Sequence, residues 1–158
     1  MESRILDELN EIDWGNFMYP DVPIWVRNLA SDDLEARNVA YNNLEKILAY
    51  AGSTSWENYG PLSELLKTDM PIVVVPFLIT LLNYEGVRDK EYILELLLDI
   101  ATYRTLIKED DEEVYKDRAH RAYNAVQKGI DIYGLLSSDH DPNIRMVASS
   151  LLDEFKMI

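Results

Sequence analysis

One order of residues recurs along this chain and restricts its fold more than any other feature. In Leu29-Ala30-Ser31-Asp32-Asp33-Leu34-Glu35-Ala36-Arg37-Asn38-Val39-Ala40, an acidic turn leads to Arg37, with Ala40 three and Leu44 seven residues later. Leu136-Ser137-Ser138-Asp139-His140-Asp141-Pro142-Asn143-Ile144-Arg145 repeats that order, with Ala148 and Leu152 at the same offsets. A degenerate copy sits between them at Asp89-Lys90, followed by Ile93 and Leu97. The three starts, at 37, 90 and 145, lie 53 and 55 residues apart. Repeats of this kind stack one supersecondary unit on the next to bury a continuous core.

The spacing of apolar residues is helical almost throughout. Asp141 is placed to cap a helix and Pro142 to open it. Ile144, Val147, Ala148, Leu151, Leu152 and Phe155 then mark one face. A helix is expected from about Asp33 to Tyr50, with Ala36, Ala40, Leu44, Ile47 and Leu48 inward. Another is expected from Asp89 to Tyr103 through Ile93, Leu96, Leu97 and Ile100, and a short one opens at Asp21-Val22-Pro23 through Trp25, Val26 and Leu29. Val114 to Leu136 carries Ala119, Ala122, Tyr123, Val126, Ile130 and Tyr133 inward, with Gly129 and Gly134 as places to break or bend. Ile72 to Val75 is β-branched and Pro76 interrupts it. No other segment offers a strand partner, so helix starting near Pro71 or Pro76 and ending at Leu82 is expected. Gly52 to Pro61 and Arg104 to Glu113 read as long connections. Helix content should stand far above the ~30–35% of average domains.

The repeat resembles HEAT repeats, in which an apolar helix, an Asp-bearing turn and a second helix with Arg, Ala and Leu follow in order. The period exceeds the ~40–47 residues of a HEAT repeat, and the two connections supply the excess. The turn acids favour the positive end of the second helix. Arg can reach back to turn carboxylates or carbonyls, and Ala lets paired helices approach. Between residues 10 and 103 the resemblance is closer. Ile12-Asp13-Trp14, Asp21-Val22-Pro23, the first repeat and Val75-Pro76-Phe77-Leu78-Ile79-Thr80-Leu81-Leu82 occur in this order in a group of small bacterial HEAT-repeat proteins. That group has an aromatic, glycine-rich loop where this chain has Ser55-Trp56-Glu57-Asn58-Tyr59-Gly60. The resemblance implies an all-α fold, a right-handed α-α superhelix of HEAT-like hairpins, in one domain spanning 1–158. The family has no defined reaction, so the resemblance implies architecture far more than activity; HEAT-like proteins of this size are also similar to some immunity proteins encoded beside bacterial toxins.

Composition narrows the function. The 158 residues hold 15 Lys and Arg against 29 Asp and Glu, a net charge of −14, which opposes unassisted binding to nucleic acid. Cysteine is absent, which removes disulfides, thiol nucleophiles and cysteine zinc sites. No apolar run reaches the ~18 residues of a membrane span, and Met1-Glu2-Ser3 lacks the features of a signal peptide, so a cytoplasmic protein is expected. His120 lies in a charged stretch and His140 in the repeat turn, where it reads as support for the cap rather than a ligand. Their separation selects no zinc geometry. Pairs such as Glu8/Glu11, Glu91/Glu95 and Asp110/Glu113 have helical spacing but read as solvated faces. No phosphate-cradling or hydrolase motif occurs, so no catalytic residue, metal or cofactor is assigned.

What remains is binding surface. Glu109, Asp110, Asp111, Glu112 and Glu113 form the densest negative run, either a solvated loop or a steering patch, with Asp32 and Asp33 at a repeat turn as a second acidic site. The ten tyrosines and three tryptophans exceed what the inner stripes require. Trp56 and Tyr59 are candidate interface anchors, or else a plug folded over the helices. The expected function is non-enzymatic binding of a basic protein, best exemplified by an immunity protein that neutralises a cationic toxin such as a nuclease. A HEAT-repeat scaffold or adaptor is the second reading, and an enzyme or subunit like the HEAT-like bilin lyases the third. A monomer or weak oligomer is expected.

Overall fold

Residues whose apolar positions recur every three to four can hide them together only as helices. Helix is the only regular structure among residues 7–17, 19–49 and 65–156, those that the computed structural model describes. Two 3-10 turns, Glu8–Glu11 and Trp14–Phe17, come first. Then follow α1 (Val22–Asn28), α2 (Leu34–Leu48), α3 (Met70–Leu82) and α4 (Lys90–Ala101). The chain continues through α5 (Tyr103–Leu106), α6 (Glu113–Gln127), α7 (Ile130–Leu136) and α8 (Pro142–Asp153).

Each boundary has a local cause. Asp141 accepts a hydrogen bond from the Asn143 N–H at 2.8 Å, and Pro142 occupies the first turn of α8, where a missing N–H costs nothing. Asp33 also stands at an N-cap, yet its side chain caps nothing. Its own N–H donates to Ser31 Oγ at 3.0 Å. Helix α3 begins at Met70 with Pro71 in its first turn and runs through Pro76 to Leu82 without a restart. Pro76 forfeits one backbone bond, but Val74, Val75, Phe77, Leu78, Leu81 and Leu82 around it are all buried. Val114–Leu136 divides at Gly129 into α6 and α7. A Cβ on Gly129 would lie 2.6 Å from Tyr133 Oη, and Tyr133 is fully buried with its hydroxyl donating to the Val126 carbonyl at 2.7 Å. Gly129→Ala should therefore cost ~1–3 kcal/mol by overpacking, read as a lower midpoint in a urea melt. An unchanged midpoint would mean that the ring has room to move.

Helix α2 packs on α1 and on α4; α4 packs on α3, α6 and α8 as well; α3 also packs on α6, and α7 on α8. One hydrophobic core results, reaching from Leu9 and Trp14 to Ala148 and Leu151. At its N-terminal end the Trp14 indole donates to the Leu9 carbonyl at 2.8 Å and meets Phe77 edge-on.

Several inward assignments need correction. Ile130 is 39% exposed, because the break at Gly129 turns the following helix. Ala36 is only half-buried and Arg37 takes an inward place on α2 instead, while the half-buried Ile47 packs against the core. The connection from Arg104 to Glu113 is shorter than expected: Arg104 lies in α5 and Glu113 opens α6. Three of the tyrosines belong to the core. Tyr103, Tyr123 and Tyr133 are buried, and their hydroxyls donate to the carbonyls of Leu48, Glu154 and Val126. Those carbonyls sit at the ends of α2, α8 and α6, where helical partners run out.

Candidate functional site

The arginines of the two clear repeat copies behave alike. Arg37 Nη1 donates to the Ser31 carbonyl at 2.8 Å, and Arg145 Nη1 to the Asp139 carbonyl at 2.9 Å, each six residues back. Arg145 also reaches the His140 carbonyl at 3.1 Å. Arg37 goes further. Its Nε donates to Asp89 Oδ2 at 2.8 Å, tying the first repeat turn to the N-cap of α4. Asp89 adopts φ 51°, a left-handed conformation that aspartate tolerates better than most residues. Lys90, which fills the arginine place of the middle copy, opens α4 directly after it.

From this ion pair a row of polar contacts descends the seam between α2 and α4. The Tyr41 and Tyr92 rings stack with centroids 4.5 Å apart. The Tyr41 hydroxyl lies 2.9 Å from Glu95 Oε2 and 3.2 Å from Glu45 Oε2. One turn further along stand Asp99 and Glu45, and at the end the Tyr103 hydroxyl bonds the Leu48 carbonyl. Burial, with the Glu95 and Glu45 carboxylates adding to it, raises the Tyr41 hydroxyl far above the ordinary phenol range. Burial, then the Glu45 and Glu95 charges, pushes the Asp99 carboxyl up to about 7. Burial also raises Glu91, with Asp89, Asp141 and Glu95 contributing. Asp141 belongs to the α8 cap, so the negative field extends across α4 toward α8.

Glu91 and Glu95 are therefore not a plain solvated face. Both are half-buried, and Glu95 accepts a phenol hydrogen bond. Their helical spacing is readable in the sequence, but the signal that they meet Tyr41 and Glu45 lies in the 50-odd-residue repeat offset. No family model, no curated protein and no solved structure matches this chain.

The predicted site residues are dispersed. Glu109, Asp110 and Glu112 are exposed in the connection before α6, and Glu113 is exposed at its start. Asp111 is tied back, accepting from the Lys108 N–H at 2.6 Å. Asp32 is exposed at the first repeat turn, 4.0 Å from Arg88, and Asp33 precedes α2. No hydrogen bond or ion pair among the described residues joins these two acidic sets. Trp56 and Tyr59 fall outside the described residues.

The chemistry available is limited. His120 is exposed on α6, and the His140 side chain is fully exposed. His140 contributes to the repeat turn through its carbonyl, and its Nδ1 lies 3.6 Å from Asp139 Oδ1, which accepts from the Asp141 N–H at 2.9 Å. Among the described residues no group of His, Asp and Glu could hold a metal ion, and no helix is long and apolar enough to cross a membrane. A groove of about 310 Å³ between α3 and α6 is lined by Ile72, Pro76, Ile79, Thr80, Ala125 and Lys128. Its Thr80 hydroxyl is committed to the Pro76 carbonyl at 2.8 Å. On α6, Arg118 and Arg121 both clasp Asp69 at 3.1 Å.

Proposed function

We propose that this protein is a HEAT-like stack that binds a basic protein, with α2, α4 and α8 forming the face that receives it. The stacked reading draws on two observations: the matching arginine-to-turn bonds of the first and last repeats, and a contact order in which α4 joins α2 to α8 while α3 joins α6. The binding reading rests on one observation. The α2–α4 seam gathers Glu45, Glu91, Glu95 and Asp99 around two stacked tyrosines, an arrangement suited to cationic side chains with an aromatic anchor. A net charge of −14 would speed encounter with such a partner. A role as an immunity protein against a cationic toxin, such as a nuclease, fits these features and needs no catalysis.

Binding kinetics at several salt concentrations test this, with the product of the neighbouring gene as the first partner tried. Reversal of Asp110, Asp111 and Glu113 to Lys should slow association and flatten its salt dependence, because the acidic run steers from a distance. Tyr92→Ala should instead speed dissociation, at a cost of ~2 kcal/mol or more, and leave the salt dependence alone. Kinetics unmoved by Tyr92→Ala would place the contact on another face. Wild-type association insensitive to salt would remove the basic partner.

A further inference from the structure

Helix α3 is apolar on every side: none of its 13 residues is charged, and Thr80 alone carries a polar side chain. A helix of that kind is at home when covered all round. Val74, Val75, Leu78 and Leu81 are buried, yet Pro76 is exposed and Ile72, Ile79 and Thr80 are half-exposed. These last four form one wall of the groove of about 310 Å³, and Ala125 and Lys128 form the other. The clasp of Arg118 and Arg121 on Asp69 aligns the start of α3 with the middle of α6. Lys128, the C-cap of α6, therefore stands at the opposite end of the groove, beyond Ala125.

Lys128 is a cation without a counter-ion. Its ammonium makes no hydrogen bond or ion pair among the described residues, the exposed Asp131 three residues on included. No acid lines the groove. At the other end Asp69 and Asp117 are already held by Arg118 and Arg121. On a chain of net charge −14, the groove is thus a place where an anion meets a free positive charge at close range. Along the apolar stretch nothing polar is left to offer, since the Thr80 hydroxyl donates to the Pro76 carbonyl at 2.8 Å.

We propose that the α3–α6 groove binds a single-chain amphiphile with an anionic head, of the fatty-carboxylate type. Its chain lies along Ile72, Pro76, Ile79 and Ala125, and its head meets Lys128. From Ile72 to Thr80 the helix rises about 12 Å, close to the length of an extended ten-carbon chain. The volume stands at the lower edge of the ~300–1,000 Å³ of ligand pockets. A partner protein would need ~800 Å² of this surface, which six lining residues do not supply. Without Lys128 the carbonyl ends of α3 and α6 would make that end repel an anion, so one ammonium decides the sign of the head.

Methyl NMR of the full chain, titrated with decanoate, decanol and decylammonium below their micelle concentrations, tests this. Decanoate should shift the Ile72, Ile79 and Ala125 methyls saturably. It should bind about threefold to fivefold tighter than the other two, the worth of one exposed ion pair. The acidity of the whole chain favours decylammonium, so tighter binding of that probe at these methyls overturns the proposal. Shifts spread through the core overturn it as well, and so do groove shifts that grow with protein concentration alone, which assign the groove to a second copy. Lys128→Glu should reverse the order of decanoate and decylammonium; an unchanged order removes the anionic head. Thr80→Trp should fill the groove and weaken decanoate tenfold or more, and undiminished binding places the chain elsewhere. If Thr80→Trp does not fold, the exposed change Lys128→Glu carries the test. The groove lies on α3 and α6, apart from the α2–α4–α8 face, so its failure and that of the basic-partner reading are separate results.

Discussion

Replacing Ala148 with arginine is expected to remove the folded state at ordinary temperature. Ala148 has no solvent exposure, and its helix α8 packs on both α4 and α7. A guanidinium there must displace packed neighbours and lose its water. Overpacking costs ~1–3 kcal/mol and burial of an unpaired charge several more, a sum that rivals the ~5–15 kcal/mol of a typical domain. Circular dichroism should show lost cooperativity rather than a small shift in midpoint. A variant that melts like the wild type would mean that α8 does not rest on α4.

Arg37→Ala should be the next most damaging change. The Arg37 side chain is 7% exposed, and it holds Asp89 and the Ser31 carbonyl at 2.8 Å each. Removing one member of a fully buried pair costs ~3–5 kcal/mol; here Asp89 keeps 26% of its side chain in water, so ~2–3 kcal/mol is expected. Asp89 also loses the contact that orients it at φ 51°, so the turn before α4 should loosen together with the pair. A urea melt checks the first effect, and amide exchange in residues 87–92 the second. Arg145→Ala should do far less, because Arg145 is exposed and bonds only turn carbonyls.

These two variants separate what could be read from the sequence and what could not. Helix α8 was legible from end to end because its cap, its proline and its apolar stripe all lie within one segment. The reach of Arg37 and Arg145 to their turns was legible for the same reason. The attachment of Arg37 to Asp89 was not, since it depends on how two helices 50 residues apart align. Pro76 left the start of α3 open between Pro71 and itself, because a proline normally marks a helix start or break; the helix starts at Met70 and the apolar packing on either side of Pro76 outweighs one lost bond. The site fared worse than the fold. Runs of acid stand out in a sequence, so Glu109 to Glu113 drew notice, whereas Glu45, Glu95 and Asp99 are spread over two helices and meet only in three dimensions. Tyr123 and Tyr133 are legible as inward from their helical spacing, but the carbonyl acceptor that each hydroxyl meets is not.

Those acceptors give the tyrosines a further meaning. Helix α2 stops at Leu48 with no glycine after it; Ala49 simply turns extended. The stop is marked instead by the phenol of Tyr103, which lies 55 residues downstream. Tyr133 and Tyr123 mark the ends of α6 and α8 in the same manner. The ends of α2 and α8 are thus met by phenols from distant parts of the chain, and that of α6 by one only seven residues on. A peptide cut from α2 would carry no instruction about where to end. In a chain built this way, lengthening a helix by one turn would misplace a carbonyl from its phenol.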